Sequence, residues 1–150
     1  MTGLKQQLYA LCAEYIANRE AAIKNTIDEA RDAANNETKS SAGDKYETGR
    51  EVMQQEIDLN LARLNELNKL KQIFEKIIPG QKNTTVQPGA VVRTNNGNYY
   101  IAISAGLLKV DSTPYYAISA ASPIGTKLAG LSVGSAFDFN GKQFVIEGIA

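Results

Sequence analysis

Ser122-Pro123-Ile124-Gly125-Thr126-Lys127-Leu128-Ala129-Gly130, followed by Val133-Gly134, is the stretch on which the fold turns. A serine before a proline reads as a helix start. The hydroxyl can cap the first turn, and proline at the first helical position loses only an N–H that has no intrahelical partner. The spacing predicts a short helix over residues 122–129. On both sides the pattern has period two. Ala90-Val91-Val92-Arg93-Thr94 and Asn98-Tyr99-Tyr100-Ile101-Ala102-Ile103 are rich in β-formers and flank Asn95-Asn96-Gly97, a strong hairpin signal. Residues 107–110 and 115–119 read as another strand pair around Asp111-Ser112-Thr113-Pro114. Phe137-Asp138-Phe139 and residues 142–147 read as a last hairpin across Asn140-Gly141. The expectation is a small, half-open antiparallel β-sheet domain with one short helix on one face.

Upstream the chain has a different character. No Pro or Gly interrupts residues 4–34, and apolar residues recur at helical spacing: Leu4, Leu8, Leu11 and Tyr15, then Ile16, Ile23, Ile27, Ala30 and Ala34. Asn35-Asn36-Glu37-Thr38-Lys39-Ser40-Ser41-Ala42-Gly43 is polar and turn-prone, so the helix should fray or stop within it. A second helix is predicted over residues 44–78, with a stripe of Met53, Ile57, Leu61, Leu64, Leu67, Phe74 and Ile78, widened by Leu59 and Leu70. Pro79-Gly80 should end it. Two such helices joined by a short polar loop form an antiparallel coiled-coil hairpin about 45–50 Å long at about 1.5 Å per residue. The fold class is therefore α+β, with a hairpin over 1–78, a linker over 79–86 and a β domain over 87–150.

Composition excludes several chemistries. The chain has 150 residues, no histidine, one cysteine, and 16 basic against 16 acidic side chains. A serine–histidine–aspartate triad and a histidine-containing zinc site cannot be built. Cys12, among Leu8, Leu11 and Tyr15, reads as a buried helical thiol, since nothing here would activate it as a nucleophile. No Lys/Arg cluster suits nonspecific duplex binding. No apolar run approaches a membrane span and the N-terminus does not open a signal peptide, so a cytoplasmic protein without membrane partners is expected. Charge is uneven: residues 1–78 carry 11 basic and 13 acidic side chains, residues 79–150 only 5 and 3.

The segment over residues 122–134 resembles the C-terminal signature of Gre-type transcript-cleavage factors, S-P-[LI]-[GA]-x-x-L-x-G-x-x-V-G. With the preceding hairpin, the resemblance spans nearly the whole chain. It implies a C-terminal domain of FKBP-like fold that docks on RNA polymerase through the surface at Ser122, Pro123 and Ile124. It implies further that the hairpin enters the polymerase's secondary channel, near nascent RNA and DNA, and lends two carboxylates to a Mg²⁺ shared with the polymerase. Such a protein regulates transcription elongation and is no enzyme on its own; a monomer with no intrinsic cofactor is expected.

The family's tip motif, G-D-L-S-E-N-A-E-Y, has its functional acids at D and the first E. Gly43-Asp44-Lys45-Tyr46-Glu47 matches G-D-x-x-E, which carries the catalytic and metal-ligating roles to Asp44 and Glu47. A second register aligns Tyr46 with the family's tyrosine and puts the acid positions on Lys39 and Ala42, which cannot ligate a metal. Glu29-Ala30-Arg31 resembles the family's upstream E-A-R, but eleven residues separate it from Gly43, so the first register implies an insertion before the tip.

Each motif also has a plain structural reading. Asp44 and Glu47 in a first turn suit the helix dipole, and Ser41-x-x-Asp44 or Asp44-x-x-Glu47 is a capping box. Lys39 and Lys45 beside them favour phosphate over a divalent cation, which leaves room for a channel regulator that promotes no cleavage. Tyr99-Tyr100 and Tyr115-Tyr116 place one ring of each pair on each sheet face, as core residues or, as in the isomerases of the parent fold, as an aromatic groove. A coiled-coil interaction protein with a different partner is the alternative function.

Overall fold

A computed structural model describes residues 3–39 and 44–150, with the backbone alone described for residues 36–39 and 44–48. The element order is α1 (Leu4–Lys39), α2 (Asp44–Glu75), β1 (Val91–Thr94), β2 (Gly97–Ala102), β3 (Gly106–Val110), β4 (Thr113–Ser119), α3 (Pro123–Leu128), β5 (Ala136–Phe139) and β6 (Lys142–Ile149). The fold is α+β: two long paired helices, then a six-stranded sheet with one short helix. This is the layout that the Gre-type resemblance implies. The chain divides into two compact units, one of residues 1–15 with 73–150, the other of residues 16–72.

Helix α1 continues through the polar Asn35-Asn36 segment to Lys39, whereas α2 stops earlier than the proline predicts, at Glu75. Its end tightens through Lys76 N–H to Ile73 carbonyl and Ile77 N–H to Phe74 carbonyl, both i to i+3 bonds. Ile78, immediately before Pro79, is biased away from helical backbone and is 65% exposed.

In the unit of residues 16–72 the helices run antiparallel. Glu20 of α1 lies 3.6 Å from Lys71 of α2 and 2.8 Å from Lys24. The Lys24 hydrogen bond and then its charge, with help from Lys71, hold the Glu20 carboxyl below its usual pKa. Ile16, Ile23, Ile27 and Ala30 are buried on α1. On α2 the inward positions Met53, Ile57, Asn60, Leu64, Leu67 and Lys71 alternate steps of four and three, the heptad rhythm of a coiled coil. Leu61 and Leu59, expected on the stripe, are 41% and 49% exposed instead. Four steps on from Ile57 overshoots a 3.5-residue repeat, and Asn60 takes the seam position.

The other unit is built on the sheet, in the order β3-β4-β2-β1-β6-β5. The antiparallel sheet expected from the sequence proves mixed. Strand β4 pairs with β2 in parallel, Tyr99 opposite Tyr116 and Tyr100 opposite Ala117, and β3 is pushed to the edge. Burial explains the insertion. Strand β4 hides Tyr115 and Ala117, while β3 exposes Gly106, Leu107 and Lys109. The strand with more to bury takes the inner place, and a lysine on the outer strand discourages further pairing. The turn between them is also tighter than expected. Asp111 and Ser112 both have positive φ, 51° and 67°, and Pro114 falls inside β4 opposite Lys109, beyond the reach of β2.

Both faces of the sheet are covered. Val92, Tyr99, Ile101, Phe144 and Ile146 form one core with Val86, Ala90 and α3's Leu128. Val91, Tyr100 and Ala117 share the opposite face by register, where Tyr100 meets Cys12 and Tyr9 of α1. Leu8, Cys12, Phe74 and Ile77 are also buried, and the Tyr9 and Phe74 rings stack 4.2 Å apart. Two-sided cover is why β2 reads as a continuous apolar run.

Candidate functional site

The signature segment is built almost entirely by backbone constraints. Ser122 sits in extended conformation at φ −66°, ψ 159°, before the first turn of α3. Its hydroxyl accepts from the Gly125 N–H at 3.1 Å and donates to the Ser119 carbonyl at 2.7 Å, so one side chain caps the helix and ties it to the end of β4. Pro123 follows at the first helical position.

Gly125 is forced by space. A Cβ there would lie 2.2 Å from the Ser119 carbonyl oxygen, 2.8 Å from Ser122 Oγ and 3.0 Å from the Ala120 carbonyl oxygen. Leu128, at 0% exposure, is the apolar plug of the helix. Gly130 and Gly134 have φ of +77° and +92° in open space, so their requirement is conformational. The loop between them is stitched to the segment before β1 and to β6: Gly130 N–H to Val86 carbonyl, Val86 N–H to Leu131 carbonyl, Gly134 N–H to Ile146 carbonyl, and Ile146 N–H to Ser135 carbonyl, all between 2.8 and 2.9 Å.

What the frame leaves outward is short. Pro123, Thr126 and Lys127 are exposed, and Ile124 is half-buried with part of its side chain against the sheet core. Val133 is 58% exposed, although the signature specifies valine. Ser122 and Pro123 thus have structural duties of their own. Ile124 and Val133 are the apolar side chains of the signature that the fold does not fully use. The sequence places Val133 in the signature without giving it a docking role; its apolar identity between two turn glycines was the available signal.

The other predicted site lies in α2. The helix begins at Asp44, so Asp44 and Glu47 stand one turn apart in its first turn. Their side chains, and those of Lys39, Ala42 and Lys45, lie outside the described residues. Among the described residues, no group of three or more acidic or cysteine side chains could hold a metal ion.

The remaining titratable candidates are core residues. Cys12 is fully buried, and burial pushes its thiol up to about 12, the opposite of an activated nucleophile. Tyr100 is also fully buried, its pKa raised by burial and by Cys12 and Tyr9, and its hydroxyl has no hydrogen-bond partner among the described residues. Tyr99 packs 5.7 Å from Tyr116, its pKa raised by burial and then by that neighbour. Of the four tyrosines only Tyr116, at 46%, is substantially open. Lys5 is 9% exposed, donates to the Gln81 carbonyl, and has its pKa lowered by burial. Among the described residues, no helix is long and apolar enough to cross a membrane.

No protein-family model matches the chain, and no curated protein matches it. Among solved structures the chain is similar to one described as the structure of the transcription factor Gfh1, at 21% identity over 91% of each chain, with a TM-score of 0.34.

Proposed function

We propose that this chain is a Gre-type regulator of RNA polymerase. The unit bearing the sheet docks on the polymerase through Ser122, Pro123, Ile124 and the neighbouring Val133, and the helix pair acts in the secondary channel. The reading is supported by one observation above all. The signature's glycines, serine and leucine are accounted for by capping, close approach and burial, while Ile124 and Val133 keep apolar surface that the fold does not consume. Outward apolar side chains held on a rigid frame are what a partner-binding patch requires.

Asp44 and Glu47 are assigned the acid roles. Two carboxylates a turn apart supply hard oxygen donors of the kind Mg²⁺ takes, yet fall short of an octahedral shell, so the polymerase and water would complete it. With Asp44 and Glu47 as ligands the protein would stimulate cleavage of backtracked RNA by the polymerase. Without that role it would occupy the channel and modulate elongation alone.

The test is binding to purified core RNA polymerase, followed by cleavage in stalled, backtracked complexes with Mg²⁺. Ile124→Asp should weaken binding by about tenfold or more. Asp44→Ala with Glu47→Ala should abolish cleavage while leaving binding unchanged. Equal cleavage by the wild type and this double variant would remove the assigned acids. Absence of polymerase binding would sink the whole reading.

A further inference from the structure

Two Asn-Gly pairs occur in the chain, Asn96-Gly97 and Asn140-Gly141, each at a hairpin turn of the sheet. An asparagine followed by glycine is a reactive pair in its own right. No Cβ on glycine shields its backbone nitrogen, which can reach the preceding side-chain amide. The fold treats the two pairs differently. At the first, the Asn96 amide Nδ2 donates to the Gln143 carbonyl of β6 at 2.9 Å, and the Asn96 N–H donates to Thr94 Oγ1 at 3.1 Å. Asn95 is held to the same strand, donating to the Gln143 carbonyl at 3.1 Å and accepting from the Val145 N–H at 2.7 Å. Gly97 pairs with Thr94, so its N–H stands where the turn's own hydrogen bond closes.

The second pair is left open. The register sets Phe139 opposite Lys142, so Asn140 and Gly141 are both loop residues, with φ of 52° and 78°. In a two-residue loop the closing bond joins the flanking residues, which leaves the Gly141 N–H to solvent. Both residues are exposed, and a Cβ at Gly141 would meet nothing within 4 Å. The Asn140 amide has no hydrogen-bond partner among the described residues. Cyclisation requires this turn to open so that side chain and nitrogen meet. Strand β5 has four residues and lies at the edge of the sheet, paired with β6 alone. The end of this hairpin can therefore open while the rest of the sheet stays paired.

We propose that Asn140 is a site of spontaneous deamidation in the folded chain, and that the fold protects Asn96. The Gly141 nitrogen gives its proton to hydroxide and attacks Asn140 Cγ. The N–Cγ bond forms, the Cγ–Nδ2 bond breaks, and Nδ2 leaves as ammonia after taking a proton from water, which restores the hydroxide. Water then opens the succinimide ring at either carbonyl, giving aspartate or isoaspartate. Isoaspartate carries the backbone through the side-chain methylene, which lengthens a loop built for two residues. It loosens the pairing that sets the Phe137 and Phe139 rings 5.1 Å and 6.3 Å from that of Phe144.

The experiment ages the full chain in warm, mildly alkaline buffer and follows its peptides by mass spectrometry, with isoaspartate separated from aspartate by chromatography. Asn140 should convert at least about tenfold faster than Asn96, because Asn96 must first give up its bonds to Gln143 and Thr94. In urea sufficient to unfold the chain the two rates should become comparable, since only the fold distinguishes the two pairs. Conversion of Asn96 as fast as that of Asn140 in the folded chain would overturn the proposal. So would an intact Asn140 in the folded chain under conditions where the unfolded chain converts, or a rate ratio that urea leaves unchanged. The reaction needs no partner, so its outcome is independent of polymerase docking.

Discussion

Gly125 sets the tolerance of the signature segment. With Ser119 O only 2.2 Å from where a Cβ would sit, Gly125→Ala must displace either the helix start or the end of β4. The substitution should cost about 2–4 kcal/mol, measured as a lower urea midpoint with an unchanged slope. Tyr100 makes the converse case. Its buried hydroxyl has no partner among the described residues, so Tyr100→Phe should leave stability unchanged or raise it by about 1 kcal/mol. The same neighbourhood predicts an alkaline limit. Burial raises the Cys12 thiol from 9.0 to about 12, so between those values the unfolded chain gives up a proton that the folded one keeps. Stability from this group is complete below pH 9 and is lost as pH rises towards 12, at up to about 1.4 kcal/mol per pH unit. Thermal melts from pH 8 to 11 should show a steeper fall for wild type than for Cys12→Val, and parallel curves would contradict the assignment.

At the scale of the element, the helices were legible from the spacing of Leu, Ile and Ala, because uninterrupted amphipathic runs have few other solutions. Their seam was less so. Hydrophobicity points to Leu61, whereas the heptad geometry buries Asn60, and a polar residue on the seam cannot be found by following apolar ones. Asn60→Leu should therefore raise the thermal midpoint of the helix pair by a few degrees, about 1 kcal/mol, as a seam regains an apolar residue. The hairpins were likewise visible in Asn-Gly and related turns. Their docking was not: β4 lies beside β2 because Tyr115 and Ala117 need cover that Leu107 and Lys109 do without, a comparison that exists only once both strands compete for one place. Short-range turn chemistry fixes which strands pair in hairpins and leaves the order of the hairpins to burial.

At the scale of the whole molecule, composition and periodicity set long charged helices ahead of a weakly charged β-rich half, but they do not show that residues 1–15 belong to the same compact unit as residues 73–150. The candidate docking segment was legible too, through serine, proline and glycines whose conformational demands are local. What separates its structural from its outward residues was not. Only packing shows that Leu128 is consumed while Val133 stays 58% exposed. The proposed function turns on Ile124 and Val133 as polymerase-binding residues, Val133 mostly outward and Ile124 only in part, since some of its side chain packs on the sheet core. Affinity for core RNA polymerase, measured for the wild type and for Ile124→Asp with Val133→Asp, tests it most directly. The account predicts tight binding by wild type and a loss of about a hundredfold or more in the double variant, with its fold retained by circular dichroism. Undiminished binding by that folded double variant would contradict it.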